Sequence, residues 1–295
     1  MRTLVGMVTF GNLKFSKLTL ESSEIRDLDK IVVVGKPGDD ETIAYLKNEN
    51  IPMIVHPENW GFTFSLNDIY DYFLAGDWDN LILVGNDVIP YPKAIQHLEN
   101  LSSKFDWVSA REYSVKNLLS DFPEMRTHFS GNNLAYIDEY PVWNAFVPPK
   151  ISLGEYSSAG LSDCQNLNLY TRKAIETLGY VDVNFWPNGY FGDNDYVRRA
   201  IHLNVSSCTS LGAFYFHFWS RTINEVDRSN FRHICFRNNE LYYQRKWNGS
   251  FGEEKFTLPF NGEESFEGLP AYNSNSIHTR EYEKQIIQYW RKQAW

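Results

Sequence analysis

Residues 29–88 read DKIVVVGKPGDDETIAYLKNENIPMIVHPENWGFTFSLNDIYDYFLAGDWDNLILVGNDV, and this stretch decides the fold. Its apolar runs at 29–35 (DKIVVVG), 51–55 (IPMIV) and 80–85 (NLILVG) are short and almost continuous, as in strands buried on both faces of a parallel sheet. Between them the pattern predicts helices over roughly 39–49, with Asp39 or Asp40 as cap, and roughly 64–75, where Ser65 can cap. A further strand-like run, 3–10 (TLVGMVTF), precedes them. Strand and helix alternating at this rhythm imply right-handed crossovers and a doubly wound sheet. Further on, 106–110 (DWVSA) reads as a strand, and 112–165 as loops and short antiparallel strands. Helices follow near Thr171–Leu178, ending at Gly179, and from about Asp193 to about Leu203, before a late strand at 211–218 (LGAFYFHF).

The chain has 295 residues, 43 % of them hydrophobic and 22 % charged, enough for a sizeable core and unlike a disordered segment. No apolar run approaches the ~20 residues of a membrane helix. The first residues lack a signal-peptide apolar region, and Cys164, Cys208 and Cys235 lie far apart without a C-x-x-C pair. A reducing, cytoplasmic setting is expected, without a disulfide scaffold or zinc ribbon. A net charge of −9 disfavours a generic polyanion-binding surface. Aromatic residues make up 16 % of the chain; at that density they fill cores, and they also stack on sugar rings and bases.

In a doubly wound sheet, ligands bind beyond the carboxyl ends of the strands. The residues there are Thr9, the run Gly35–Asp40, His56–Gly61, and Gly85-Asn86-Asp87. No G-x-G-x-x-G follows the first strand and no G-x-x-x-x-G-K-[ST] occurs, so a dinucleotide-binding domain and a P-loop NTPase are poorly supported. Asp87, at the tip of a buried strand, is placed either to hold a hard cation that bridges phosphates or to shape a turn before Pro90.

Several segments together resemble family 2 glycosyltransferases of the GT-A fold, in their rhamnosyltransferase-like branch. They are IVVVGKPGDDETIAYL, HPENWGFTFSLNDIY with Asn59, Gly61 and Asn67, NLILVGNDVIPYP, TRKAIETLGYVDVNFWPNGYFGDNDYVRRA and FHFWSRT. They run in the family's order over residues 1 to about 223, leaving 224–295 as a C-terminal extension. The resemblance implies a mostly parallel α/β sheet with a small antiparallel part, and transfer of a sugar from a UDP-, dTDP- or GDP-sugar to an acceptor hydroxyl. The acceptor would be a glycan, a lipid-linked sugar, a protein or a modified nucleic acid. It further implies donor contacts at Thr9, Asp40, Asn59, Gly61, Asn67 and Asn86, a Mn²⁺ or Mg²⁺ ion on Asp87 and His217, and Asp193 as the base. Trp186, Asp195 and Arg221 would contact substrate. The chain departs from the pattern at Gly35, Gly85 and Gly192, each standing where relatives often carry a carboxylate.

The chemistry of these positions is coherent. A divalent cation neutralises a leaving diphosphate. His217, at a strand end, supplies a neutral ring nitrogen, its competing role being a core histidine. Asp193 opens a helix, whose dipole favours the ionised carboxylate that a general base needs. Asp195 either binds acceptor hydroxyls or raises its neighbour's pKa. Aromatics gather where an acceptor would lie: Tyr113, Trp143, Phe185, Trp186, Tyr190, Phe191 and Trp219. The basic, aromatic stretch 221–246 reads as the solvated face of an accessory hairpin, or as a face toward an anionic acceptor. At the end of the chain Tyr282, Ile286, Tyr289 and Trp290 share one helical face, which docks on the domain or forms a homodimer. Two other readings are a non-catalytic sugar-binding module on the same fold and a nucleotidyltransferase. The latter would want a Gly-rich basic loop after the first strand, where VTFGNLKF offers only Gly11 and Lys14.

Overall fold

The computed structural model describes residues 1–113, 149–158, 166–218, 231–263 and 280–294. Strands β1 (Thr3–Thr9), β2 (Asp29–Val34), β3 (Met53–Val55) and β4 (Asn80–Gly85) form a parallel block with the order β3-β2-β1-β4. The sheet continues through β8 (Leu167–Thr171), β6 (Trp107–Glu112), β9 (Ser207–His217) and β5 (Val88–Pro90), with β7 (Tyr156–Ser157) also on β9. Strands β6 and β9 run parallel to the block, whereas β8, β5 and β7 run against it. This is the doubly wound, mostly parallel α/β sheet with a smaller antiparallel part that the sequence led us to expect.

Successive residues of the central strands point to opposite faces, and both faces are apolar. Val5, Met7, Val32, Val34, Ile82 and Val84 line one face, under α1 (Leu13–Leu20), α2 (Asp40–Asn48) and α4 (Ala94–Leu101). Leu4, Ile31, Val33, Leu81 and Leu83 line the other, with Trp107 and Tyr170. That second face is covered by α3 (Phe62–Ala75), α5 (Arg172–Leu178) and α6 (Gly192–His202). Asp39 caps α2 through Thr42 N, and Thr171 caps α5 through Ala174 N at 3.2 Å. Gly179, at φ 67°, ends α5 in a conformation that side chains resist.

The structure corrects several details. Helices α1 and α4 are additional to those the sequence pattern predicts; their N-caps, Asn12 and Lys93, are left-handed and make no side-chain cap. Helix α3 starts at Phe62 behind Gly61, so Ser65 lies inside it and its hydroxyl donates back to Gly61 O at 2.9 Å. Strand β9 begins at Ser207, four residues earlier than its apolar run suggests. The expected accessory hairpin is corrected most strongly: Phe231–Trp247 is one helix, α7. Its buried residues Cys235, Asn239, Tyr242, Tyr243, Lys246 and Trp247 recur at helical spacing, and tertiary burial overrides the strand preference of its aromatics.

The last helix, α8 (Arg280–Ala294), lays Ile286, Ile287 and Trp290 on Trp60, Phe64, Val183 and Trp186. Its apolar face thus docks on the domain, one of the two placements expected of it. Among the described residues, no helix is long and apolar enough to cross a membrane.

Helix α3 crosses β1 so closely that a Cβ on Gly6 would lie 2.4 Å from Ile69 Cγ2. Ile69 is fully buried and branched at Cβ, so it has no easy way to yield. Gly6→Ala should therefore cost about 1–3 kcal/mol through overpacking, read as a lower midpoint in urea unfolding with the slope unchanged.

Candidate active site

The strand order turns back on itself between β1 and β4, so a crevice opens at their carboxyl ends. On the β1 side, Thr9 is buried and its hydroxyl is engaged with Ser16 Oγ at 2.9 Å and with Gly11 O at 3.2 Å. Asp39 accepts from Gly11 N at 3.0 Å while capping α2, which staples the loops after β1 and β2 together. Asp40, the next residue, is exposed at the mouth. Lys36 arches over Gly11, its Nζ 3.3 Å from the place a Gly11 Cβ would take, and brings a cation that the sequence reading left unassigned.

On the β4 side, Asn86 reaches Ser16 Oγ in a long 3.5 Å contact. Asp87 is nearly buried, and antiparallel pairing of Val88 with His217 brings its Oδ1 to 3.3 Å from His217 Nε2. The other ring nitrogen, Nδ1, faces Glu112 Oε2 at 3.6 Å and the Asn166 side-chain nitrogen at 3.4 Å. Burial pushes the imidazole's pKa down, but the carboxylates of Asp87 and Glu112 outweigh it and hold it up at about 9. Without a metal the ring is therefore a cation at neutral pH. Glu112 and Asn166 belong to no motif, and only the sheet register brings them here.

The fit to a metal can be judged from these atoms. Two donors of one octahedral cation stand roughly 3 Å apart when each bond is ~2.1 Å, and the Asp87–His217 separation is close to that. Among the described residues, no group of three or more His, Cys, Asp or Glu side chains is arranged to hold a metal ion. Among the described residues, Asp87 and His217 are thus two donors, which fits a cation that would share its shell with substrate phosphates and water.

A second wall comes from the loop before α6. Asn59 Oδ1 accepts from Gly61 N at 2.9 Å, and Gly61 sits at φ 87°. A Cβ on Gly61 would lie 2.5 Å from Trp186 Cδ1, and Phe62 N donates to Pro187 O at 2.7 Å. Trp186 is packed on this turn and only 7 % exposed, with Arg291 over both its ring and that of Trp60. It forms part of this wall.

Asn67 and Asp195 are engaged within the chain. Asn67 is fully buried, donating to Val181 O at 3.0 Å and Glu283 Oε1 at 2.8 Å and accepting from Val181 N at 2.9 Å. Asp195 is also fully buried, 2.7 Å from Lys246 Nζ, 3.2 Å from Arg199 Nε and 2.8 Å from Trp247 Nε1. Asp193, two residues earlier, is half-exposed in the first turn of α6, where its Oδ1 accepts from Asn194 N at 2.9 Å. Arg221, Trp143 and Trp219 lie outside the described residues.

Lys246 also meets Asp182 Oδ2 at 2.6 Å, so one buried ammonium ties together the two ends of the segment that carries Trp186 and Asp193. Burial pushes the Asp182 carboxyl up, but Lys246 and the amide groups of Asn184 overcome this and leave it lowered.

No protein-family model matches the chain, and no curated protein matches it in sequence. Solved structures with some likeness include S. aureus TarS 1-349, at 11 % identity and TM-score 0.49 over 83 % of this chain and 72 % of that one. The same protein in complex with UDP gives 11 % and 0.49 over 86 % and 74 %. Glucosyl-3-phosphoglycerate synthase from Mycobacterium tuberculosis, with Mn²⁺, UDP and phosphoglyceric acid, gives 12 % and 0.45 over 76 % and 73 %.

Lys246→Met should destabilise the chain by about 3–5 kcal/mol, because two buried carboxylates lose their cation; chemical denaturation measures it. A carboxyl with a lowered folded pKa contributes stability above its unfolded value, near ~3.9, and loses it as pH falls through the folded value. The Asp182 contribution, read as the difference in unfolding midpoint between wild type and Lys246→Met, should hold steady just above about pH 5 and shrink under more acid conditions.

Proposed function

We propose that this chain transfers a sugar from a nucleotide-diphosphate sugar to an acceptor hydroxyl, with inversion at the anomeric carbon. One observation carries the reading: Asp87 Oδ1 and His217 Nε2 stand 3.3 Å apart in the crevice between β1 and β4. Donor binding falls to the loops after β1, β2 and β3, with Asp40, Asn59, Gly61 and Asn86 along the rim and Thr9 supporting it from below. Lys36 faces the same opening and favours an anionic ligand there.

Asp87 and neutral His217 would hold a divalent cation, Mn²⁺ or Mg²⁺. Bound there, the ion neutralises charge as the diphosphate leaves. Its binding requires the imidazole to give up the proton shared with Asp87, so uptake releases a proton. On the acceptor side, Asp193 takes the proton of the attacking hydroxyl. The amino end of α6 keeps its carboxylate ionised, and its partial exposure leaves it open to an incoming group. With Asp195 spent on Lys246 and Arg199, a single carboxylate serves the acceptor, as inversion without a covalent intermediate requires.

Thermal-shift measurements with UDP-, dTDP- and GDP-sugars, with and without Mn²⁺, test the donor, since specific binding raises the unfolding midpoint by mass action. EDTA should abolish the shift and Asp87→Ala should mimic EDTA; equal donor affinity with and without metal would sink the metal assignment. Asp193→Asn preserves shape and the hydrogen bond from Asn194 N but removes basicity. Donor affinity should survive in it while turnover drops about 10²–10⁴-fold. Near-normal turnover, or a product that keeps the donor's anomeric configuration, would falsify the role of Asp193.

A further inference from the structure

Helix α7 turns one face inward, and Phe236, Asn239, Tyr243 and Lys246 follow one another along it at spacings of three and four. Asn239 donates to Phe185 O at 3.1 Å, Tyr243 is fully buried, and Lys246 reaches Asp182 and Asp195. Phe236 is the exception. Although on the inward face, it is 45 % exposed. Its ring stands 5.4 Å from Tyr190 and 5.0 Å from Phe191, both half-buried, and these residues lie three and two positions before Asp193. Phe191 itself adopts φ 65°, which a bulky side chain resists, and its ring also packs on Tyr243 at 5.8 Å. Three aromatic rings from two separate elements thus form one partly open cluster, packed edge to face and tilted, and two of them lie on the segment that leads into Asp193.

From this we infer that Phe236, with Tyr190 and Phe191, is a stacking platform for a neutral saccharide ring of the acceptor. The inference rests on the glycosyl-transfer reading for the role of Asp193. Charge decides the class of occupant. The described cations around the platform are already paired: Arg237 with Glu240, Arg198 with Glu254, and Lys246 with Asp182 and Asp195. A phosphate or nucleic-acid strand would want a free cation here. A pyranose asks instead for an apolar ring face, with polar side chains at its edge for the hydroxyls. Asn188 and Asn194, both half-exposed, provide that edge.

The test is saturation-transfer NMR on the full chain, with and without UDP and Mn²⁺. The probes are methyl glycosides of glucose, galactose, mannose and N-acetylglucosamine, and UDP binding is measured on the same samples. At least one glycoside should bind wild type, and Phe236→Ala should weaken it about tenfold, as loss of a ring stack does. Phe236→Leu, which keeps the apolar bulk but not the flat face and guards against a folding defect, should weaken binding similarly. Phe236→Trp should retain it. Failure of every glycoside to bind, or equal binding by wild type, Phe236→Ala and Phe236→Leu, overturns the platform. So does Phe236-dependent binding of a single-stranded oligonucleotide with the glycosides silent. Phe236-dependent glycoside binding in a chain that takes no nucleotide supports the platform while overturning the transferase reading.

Discussion

A single ammonium group organises the segment that carries the candidate base. Lys246 Nζ, fully buried, sits between Asp182 and Asp195; Tyr242 and Asn184 also bond Asp182, Trp247 bonds Asp195 Oδ1, and Arg199 Nε lies 3.2 Å from Asp195 Oδ2. Two cations and two anions close the charge balance in a place where water cannot. Burying such a set adds little net stability compared with apolar side chains of the same size, yet removing one member is costly. Its consequence is geometric: the loop from Asp182 to Asp195 is held at both ends by a residue far along the chain, and Asp193 emerges from it in one orientation.

The other loop of the crevice is braced by the last helix. Arg291 meets Glu58 at 2.8 Å and also reaches Asn59 O, Trp290 donates to Asn184 Oδ1 at 2.9 Å, and Glu283 accepts from Asn67. Arg280 meets Asp68 at 2.6 Å and lies 3.6 Å over the Phe64 ring. The same helix therefore touches the turn 58–61 and the segment 183–186. Trp186 stacked on Gly61 joins the two loops directly, and glycine is required there because a side chain would occupy the indole's place.

Charge in the crevice is sorted by depth. The carboxylates with a structural task, Asp39, Asp182 and Asp195, are buried, whereas Asp40 is exposed and Asp193 partly so. Asp87 is intermediate: nearly buried, but facing an imidazole whose proton a cation can displace. Two close acidic pairs, 39/40 and 193/195, are thus divided between interior and surface by which way the backbone turns each side chain.

Much of this was legible along the chain. The apolar runs at 3–10, 29–35 and 80–85 are strands because a sheet covered on both faces needs near-continuous apolar residues, and that requirement is local. The caps at Asp39, Thr171 and Gly179 are local too. So is the placing of Asp87 and Asp193 at element ends, and the motifs that carry the family resemblance sit on those ends. Tertiary structure alone decided the division of labour. Asp195 and Asn67 look like site residues in the sequence because their motif spacing is right, but their partners Lys246 and Glu283 arrive from helices beyond the resemblance. Glu112 joins His217 only through the pairing of β6 with β9, and α7 is a helix because its buried face matches the loop it clamps. Periodicity reports which face of an element is buried. It is blind to the partner met there, and for a buried charge the partner, 64 residues away in the case of Asp182 and Lys246, determines whether it serves the scaffold or the chemistry.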